Sequence, residues 1–102
     1  MQERTKRLEM LLGAGAMERL AAARVIVFGL GGVGSWCAEA LARSGVGALT
    51  IVDEDSFSES NINRQLGALG STVGRPKAEA MAERLRDIAP GADIRPVTAR
   101  YE

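Results

Sequence analysis

A chain of 102 residues has room for one domain, and 46% hydrophobic with 25% charged residues is the composition of an ordinary folded chain. A formal net charge of zero gives no global pull toward nucleic acid, although a local basic patch stays open. With no histidine and only Cys37, a histidine base, a histidine-held metal, an internal disulfide and a cysteine zinc cluster are all excluded within this sequence.

The opening, Met1 to Arg7, is charged and lacks the apolar core of a secretory signal. No run of roughly 18 apolar residues is present to span a membrane, so the expected compartment is the cytosol. Residues 4–22 are expected to be helical in two pieces. Leu8, Leu11 and Leu12 share a face, Gly13 and Gly15 interrupt, and Met17, Leu20 and Ala21 resume the spacing. Residues 24–29 are apolar from Val25 onward, which predicts a strand buried on both faces of a parallel sheet.

A helix is expected over 33–43, with Val33, Ala40 and Leu41 on its apolar face and Trp36 and Cys37 between them. Cys37 then reads as a small buried hydrophobe rather than a nucleophile. Ser44-Gly45 stops this helix with a left-handed cap. Residues 48–53 predict a second strand, with Asp53 at its carboxyl end.

Residues 54–75 are polar and glycine-bearing, with a short helix expected near Asn63–Leu69. Pro76 is expected to open a helix at its first turn. Its stripe is Ala78, Met81, Leu85 and Ile88, and Pro90-Gly91 ends it. A third strand is expected over 93–99. The predicted fold class is therefore α/β: the N-terminal βαβαβ half of a Rossmann-like, doubly wound parallel sheet over 23–102, preceded by a helical arm over 1–22. In that topology the first strand is central, so here it would form an edge. The expectation is a piece of a longer protein or a chain that completes its sheet with a partner.

The run Val25-Ile26-Val27-Phe28-Gly29-Leu30-Gly31-Gly32-Val33-Gly34-Ser35 places G-x-G-x-x-G directly after a strand and at a helix start. Gly29 permits the turn, Gly31 lets backbone approach phosphate, Gly34 lets helix and strand pack closely, and Gly32 adds room. Amides and helix dipole there favour an anion. Asp53, nineteen residues past Gly34, is placed to accept from ribose hydroxyls. The competing readings are a glycine turn without ligand and a plain strand-end carboxylate. Asp55 reads equally as a solvated loop charge.

A dinucleotide needs little positive charge, whereas a triphosphate carries about four negative charges and calls for Arg, Lys or a metal. Arg64 follows the second strand on its ligand side. Lys77 sits at a helix start, where a cation opposes the dipole. Singly, each is read as well by a surface ion pair or a solvated lysine; after a phosphate loop, together they favour phosphate contacts. Asn61 and Asn63 can order the loop or bond phosphate, and Gln65 can hold Arg64 or cap a short helix.

Gly29 to Ser35, Asp53-Glu54-Asp55, Asn61-Ile62-Asn63-Arg64-Gln65 and Lys77, in this order, resemble the ThiF/MoeB/HesA group, bacterial relatives of ubiquitin-activating enzymes. Arg7 with Leu11-Leu12-Gly13, Gly34-Ser35-Trp36, Arg43 to Gly47 and Gln65 to Leu69 are similar to the tRNA threonylcarbamoyladenosine dehydratase (TcdA-like) branch. Leu8 and Gly67 depart from it, where threonine and histidine are frequent.

The resemblance implies an ATP- and magnesium-dependent enzyme that adenylates a carboxylate and releases pyrophosphate. In the dehydratase branch the substrate is threonylcarbamoyl-adenosine of tRNA, and an internal nucleophile closes a ring. In the ThiF/MoeB branch it is the C-terminal glycine of a ubiquitin-like sulfur carrier. The resemblance also implies a homodimer. Gly31 and Gly32 would line phosphates, Asp53 hold ribose, and Asn61, Arg64 and Lys77 contact phosphates. Arg7 would reach the partner's ATP as a trans cation, or stay an exposed helix arginine. The magnesium aspartate and any CxxC zinc pairs are expected beyond residue 102, so weak or no turnover is expected from this chain alone. An NAD(P)-binding dehydrogenase domain shares the loop and Asp53 but leaves Arg64 and Lys77 unexplained; a non-catalytic nucleotide-binding or dimerisation module is the third reading.

Overall fold

The computed structural model of the chain describes residues 6–100. Strands β1 (Arg24–Phe28), β2 (Ala48–Val52) and β3 (Asp93–Val97) form one parallel sheet in the order β1-β2-β3. In this register Val25, Leu49 and Ile94 lie side by side, as do Ile26, Thr50 and Arg95. Each parallel step needs a crossover, supplied by α3 (Gly32–Arg43) and α4 (Lys77–Ile88). These two helices pack on each other and on the sheet. The core is a single cluster built from Val27, Leu49, Ile51, Ile94, Met81 and Leu85 with small partners such as Ala38 and Ala42. The expected Rossmann-like α/β unit is therefore observed.

The arm is two helices, α1 (Lys6–Leu12) and α2 (Ala14–Ala22). The break falls at Gly13 alone, with φ of +88°, and Gly15 lies inside α2 rather than ending a helix. Helix α1 buries no residue, and α2 buries Met17. The expectations over residues 1–5 and 101–102 lie outside the described residues.

Several expectations need correction. β1 is not buried on both faces: Ile26 and Phe28 are more than half exposed, because both crossover helices cover the opposite side of the sheet. The inner face of α3 is not Val33 and Ala40 but Ser35, Ala38, Glu39 and Ala42, with Leu41 half-buried against the core as expected. Small side chains let the helix lie close to the sheet, which turns Val33 and Trp36 outward. Cys37 is likewise exposed, not buried. The short helix expected near 63–69 is instead the single turn of 3-10 helix Glu59–Asn61, set by a capping box between Ser58 and Asn61. Pro76 is the residue before α4, with an extended ψ of 131°, and Lys77 is the first helical residue. Ala78, Met81 and Leu85 form the buried stripe of α4 as expected. Among the described residues no helix is long and apolar enough to cross a membrane.

Candidate nucleotide site

The site lies at the carboxyl ends of β1 and β2, where parallel sheets of this kind receive ligands. β1 runs into Gly29, whose φ of +88° turns the chain; Gly29 donates its amide to Val52 O at 2.8 Å. A Cβ at Gly34 would overlap the Gly29 carbonyl oxygen, so the helix can start this close to its own loop only with glycine there. Gly31 is the N-cap of α3 and has no side chain to bond the first amides of the helix. Those amides and the dipole are left for an anion. Space at Gly31 is open: a Cβ there would meet nothing within 4 Å.

Asp53 is buried at the end of β2. Its Oδ2 accepts the Leu30 amide at 2.6 Å, and its Oδ1 accepts the Asp55 amide at 2.8 Å. The carboxylate therefore ties the glycine loop to the segment after β2, a job that spacing alone did not reveal. A carboxylate offers about four lone-pair sites, so two remain for other donors. The relay continues from Asp55, whose carbonyl accepts the Lys77 amide at 2.9 Å. Ser56 and Pro76 form an antiparallel bridge beside it.

Lys77 is buried, and its ammonium stands 5.9 Å from the centroid of the Phe57 ring. Arg64 lies beside Gly32. Its Cδ would be 3.7 Å from a Cβ at Gly32, and its guanidinium donates to Ser60 O at 3.1 Å and Asn63 Oδ1 at 3.3 Å. Among the described residues, neither cation has a carboxylate within ion-pair distance; the ion pairs involve other arginines. Asn61 is buried and its Oδ1 accepts the Ser58 amide at 2.9 Å, so its oxygen orders the turn. Ser35 Oγ donates to Gly32 O at 3.2 Å and accepts the Leu66 amide at 3.4 Å, joining α3 to the Arg64 segment. The Gln65 side chain is buried with Oε1 lacking a donor, and it makes no bond to Arg64.

Hydrogen bonds thus link the loop of Gly29, Gly31, Gly32 and Gly34 through Asp53 and Asp55 to the backbone of Lys77, and Arg64, three residues past Asn61, lies against Gly32. Arg7 is not brought there: it lies exposed on α1, which packs on α2, and forms no hydrogen bond or ion pair with the loop. Beside Arg64, Val33, Trp36, Cys37 and Ala40 line an open, largely apolar hollow of about 810 Å³ along α3.

The profile of the ThiF family matches residues 4–102. The chain belongs to the ThiF family. It is 54% identical over 80 residues to the tRNA threonylcarbamoyladenosine dehydratase of Escherichia coli K12, covering 78% of this chain and 30% of that protein. It is 46% identical over 85 residues to the molybdopterin-synthase adenylyltransferase of Salmonella typhimurium LT2, covering 83% of this chain and 34% of that one. Among solved structures, the E. coli dehydratase TcdA in complex with ATP superposes with a TM-score of 0.93 at 46% identity, over 95% of this chain and 40% of that one. The chain spans about a third of the length of the curated relatives it matches. Within this ThiF-family unit, Ser35 stands in the sequence patterns only as a motif position without its bridging role, and Phe57 does not stand in them at all. Ser35 carried a signal in directly following the last loop glycine, whereas Phe57 carried none until its ring was seen facing Lys77.

Proposed function

We propose that this chain is the ATP-binding part of an enzyme that adenylates a carboxylate. One pairing carries the reading: two cations lack carboxylate partners, Arg64 beside Gly32 at an uncapped helix N-terminus and Lys77 tied through Asp55 to the Asp53-braced segment. A lysine at a helix start sets its charge against the dipole, so an anion is the natural counterpart. A triphosphate has the charge to meet both cations; a dinucleotide pyrophosphate does not call for them. This favours ATP over NAD(P).

The residues divide the work by chemistry. The open amides at Gly31 and Gly32 donate to phosphate oxygens, and Asp53 accepts from ribose hydroxyls with the lone pairs left over from Leu30 and Asp55. Arg64, Lys77 and the side-chain Nδ2 of Asn61 donate to phosphates. Attack of the substrate carboxylate on the α-phosphorus breaks the α–β bridge and releases pyrophosphate; a magnesium ion held by residues outside this chain would neutralise part of the leaving charge. Cations fixed beside the leaving group stabilise the charge that develops there. Asp55 holds Lys77 through its backbone carbonyl, and its side chain is exposed. Arg7, on the exposed arm, serves the ATP of a second copy in a homodimer.

The substrate in this reading is threonylcarbamoyl-adenosine in tRNA, supported by the higher identity to the dehydratase than to the adenylyltransferase. The C-terminal glycine of a sulfur-carrier protein is the second reading, supported by the latter relative. ATP–pyrophosphate exchange by the whole protein separates them. Exchange that requires tRNA bearing the modified adenosine supports the first, and exchange that requires a sulfur carrier supports the second. No exchange with either, while NAD is bound, contradicts adenylation.

A further inference from the structure

We propose that Phe57 is the positioning residue for Lys77, and that Gly67 exists as the seat of its ring. This rests on the ATP reading above and names a residue through which that site is set. Lys77 Nζ lies 5.9 Å from the Phe57 centroid, within the reach of a cation–π attraction. No other favourable contact of the ammonium is present among the described residues. The two backbones are also locked together. Phe57 donates its amide to Arg75 O at 3.0 Å and accepts the Gly74 amide at 2.8 Å, while Lys77 donates its own amide to Asp55 O at 2.9 Å. A short antiparallel ribbon, bridged at Ser56 and Pro76, thus carries ring and ammonium on adjoining strands.

The ring itself is fixed from behind. Phe57 is 3% exposed. A Cβ at Gly67 would stand 2.6 Å from Phe57 Cζ and overlap the Met81 sulfur, so any larger residue displaces the ring or the α4 side chain beneath it. Met81 is fully buried in the core and has little freedom to yield. The ring face attracts the ammonium without consuming its N–H donors, which leaves them to a phosphate. Holding a flexible lysine in place before the anion arrives lowers the ordering cost of binding.

A double-mutant cycle on magnesium-ATP affinity tests this in the protein that carries the chain. Phe57→Leu is expected to weaken binding about threefold to tenfold when Lys77 is present. In the Lys77→Met background the same change is expected to have almost no effect. Equal loss in both backgrounds would mean that Phe57 acts through packing alone, which overturns the proposal while leaving the ATP reading intact. Lys77→Met without effect on ATP overturns both. Phe57→Met is the replacement should the leucine variant not fold.

A second readout does not depend on ATP. The chain has only two lysines, Lys6 and Lys77. After reductive ¹³C-methylation, the Lys77 signal, assigned by its disappearance in Lys77→Met, is expected upfield of Lys6 through the ring current, moving back in Phe57→Leu and in Gly67→Ala. Coincident Lys6 and Lys77 signals in the unsubstituted chain would overturn the placement of the ring.

Discussion

Leu30 and Asp53, separated by 23 residues, are joined by a 2.6 Å hydrogen bond from the Leu30 amide to Asp53 Oδ2. The bond links the glycine loop to the end of β2, and the other carboxylate oxygen holds the Asp55 amide. One buried side chain thus fixes both walls of the candidate site.

Asp53→Ala should therefore act twice. It leaves two amides without their acceptor, at a cost of about 2–3 kcal/mol in stability, and it removes the ribose acceptor. ATP affinity should fall about tenfold or more. Asp53→Asn keeps one acceptor oxygen and should recover part of the stability. Thermal unfolding with ATP titration checks both; unchanged ATP affinity in Asp53→Ala contradicts the ribose role.

Lys77→Ala and Arg64→Ala should each weaken ATP by about tenfold, because each removes a phosphate cation with no carboxylate partner to lose. AMP lacks the outer phosphates and should be affected much less by both. Competition binding with ATP and AMP on the same variants measures this. Equal losses for the two nucleotides would place the cations elsewhere.

Much of this arrangement was legible in the sequence, and what was not has physical causes. The glycine run, Asp53 and the α4 stripe are local patterns, so elements and loop followed from them. The face of α3 was misread because its large residues suggested a core, whereas close packing against sheet and α4 selects Ser35, Ala38 and Ala42 instead. Two-sided burial of β1 was misread because a run of apolar residues records burial in a completed sheet, not the single helical layer around it here. The Leu30–Asp53 bond and the Phe57–Lys77 contact join distant positions and leave no periodic trace.

Glu39 on α3 accepts from Arg84 of α4 at 2.5 Å and from Arg43 at 3.1 Å. Its carboxyl is held below the usual glutamate range, chiefly by the hydrogen bond from Arg84, against an opposing effect of burial. A lowered folded value means stability that is full above the unfolded value of about 4.3 and is lost as pH falls through the folded one. Glu39→Gln should cost about 1 kcal/mol at neutral pH. The gap between variant and parent should close below that range. Denaturant melts across pH 2.5–7 (roughly the carboxylate window) supply the check; a gap independent of pH would contradict the linkage.

β1 has no strand beyond it among the described residues, and Ile26 and Phe28 are more than half exposed. Such an edge pairs readily. The chain should self-associate with concentration, and Ile26→Lys should reduce this. Light scattering that reports a monomer mass at every concentration contradicts it.

The most direct test is calorimetric titration of the chain with magnesium-ATP and, in parallel, with NAD. Arg64, Lys77 and the Asp53-braced loop predict binding of ATP in clear preference to NAD. Binding of NAD in preference to ATP would contradict the account, because the two cations would then have no triphosphate to meet.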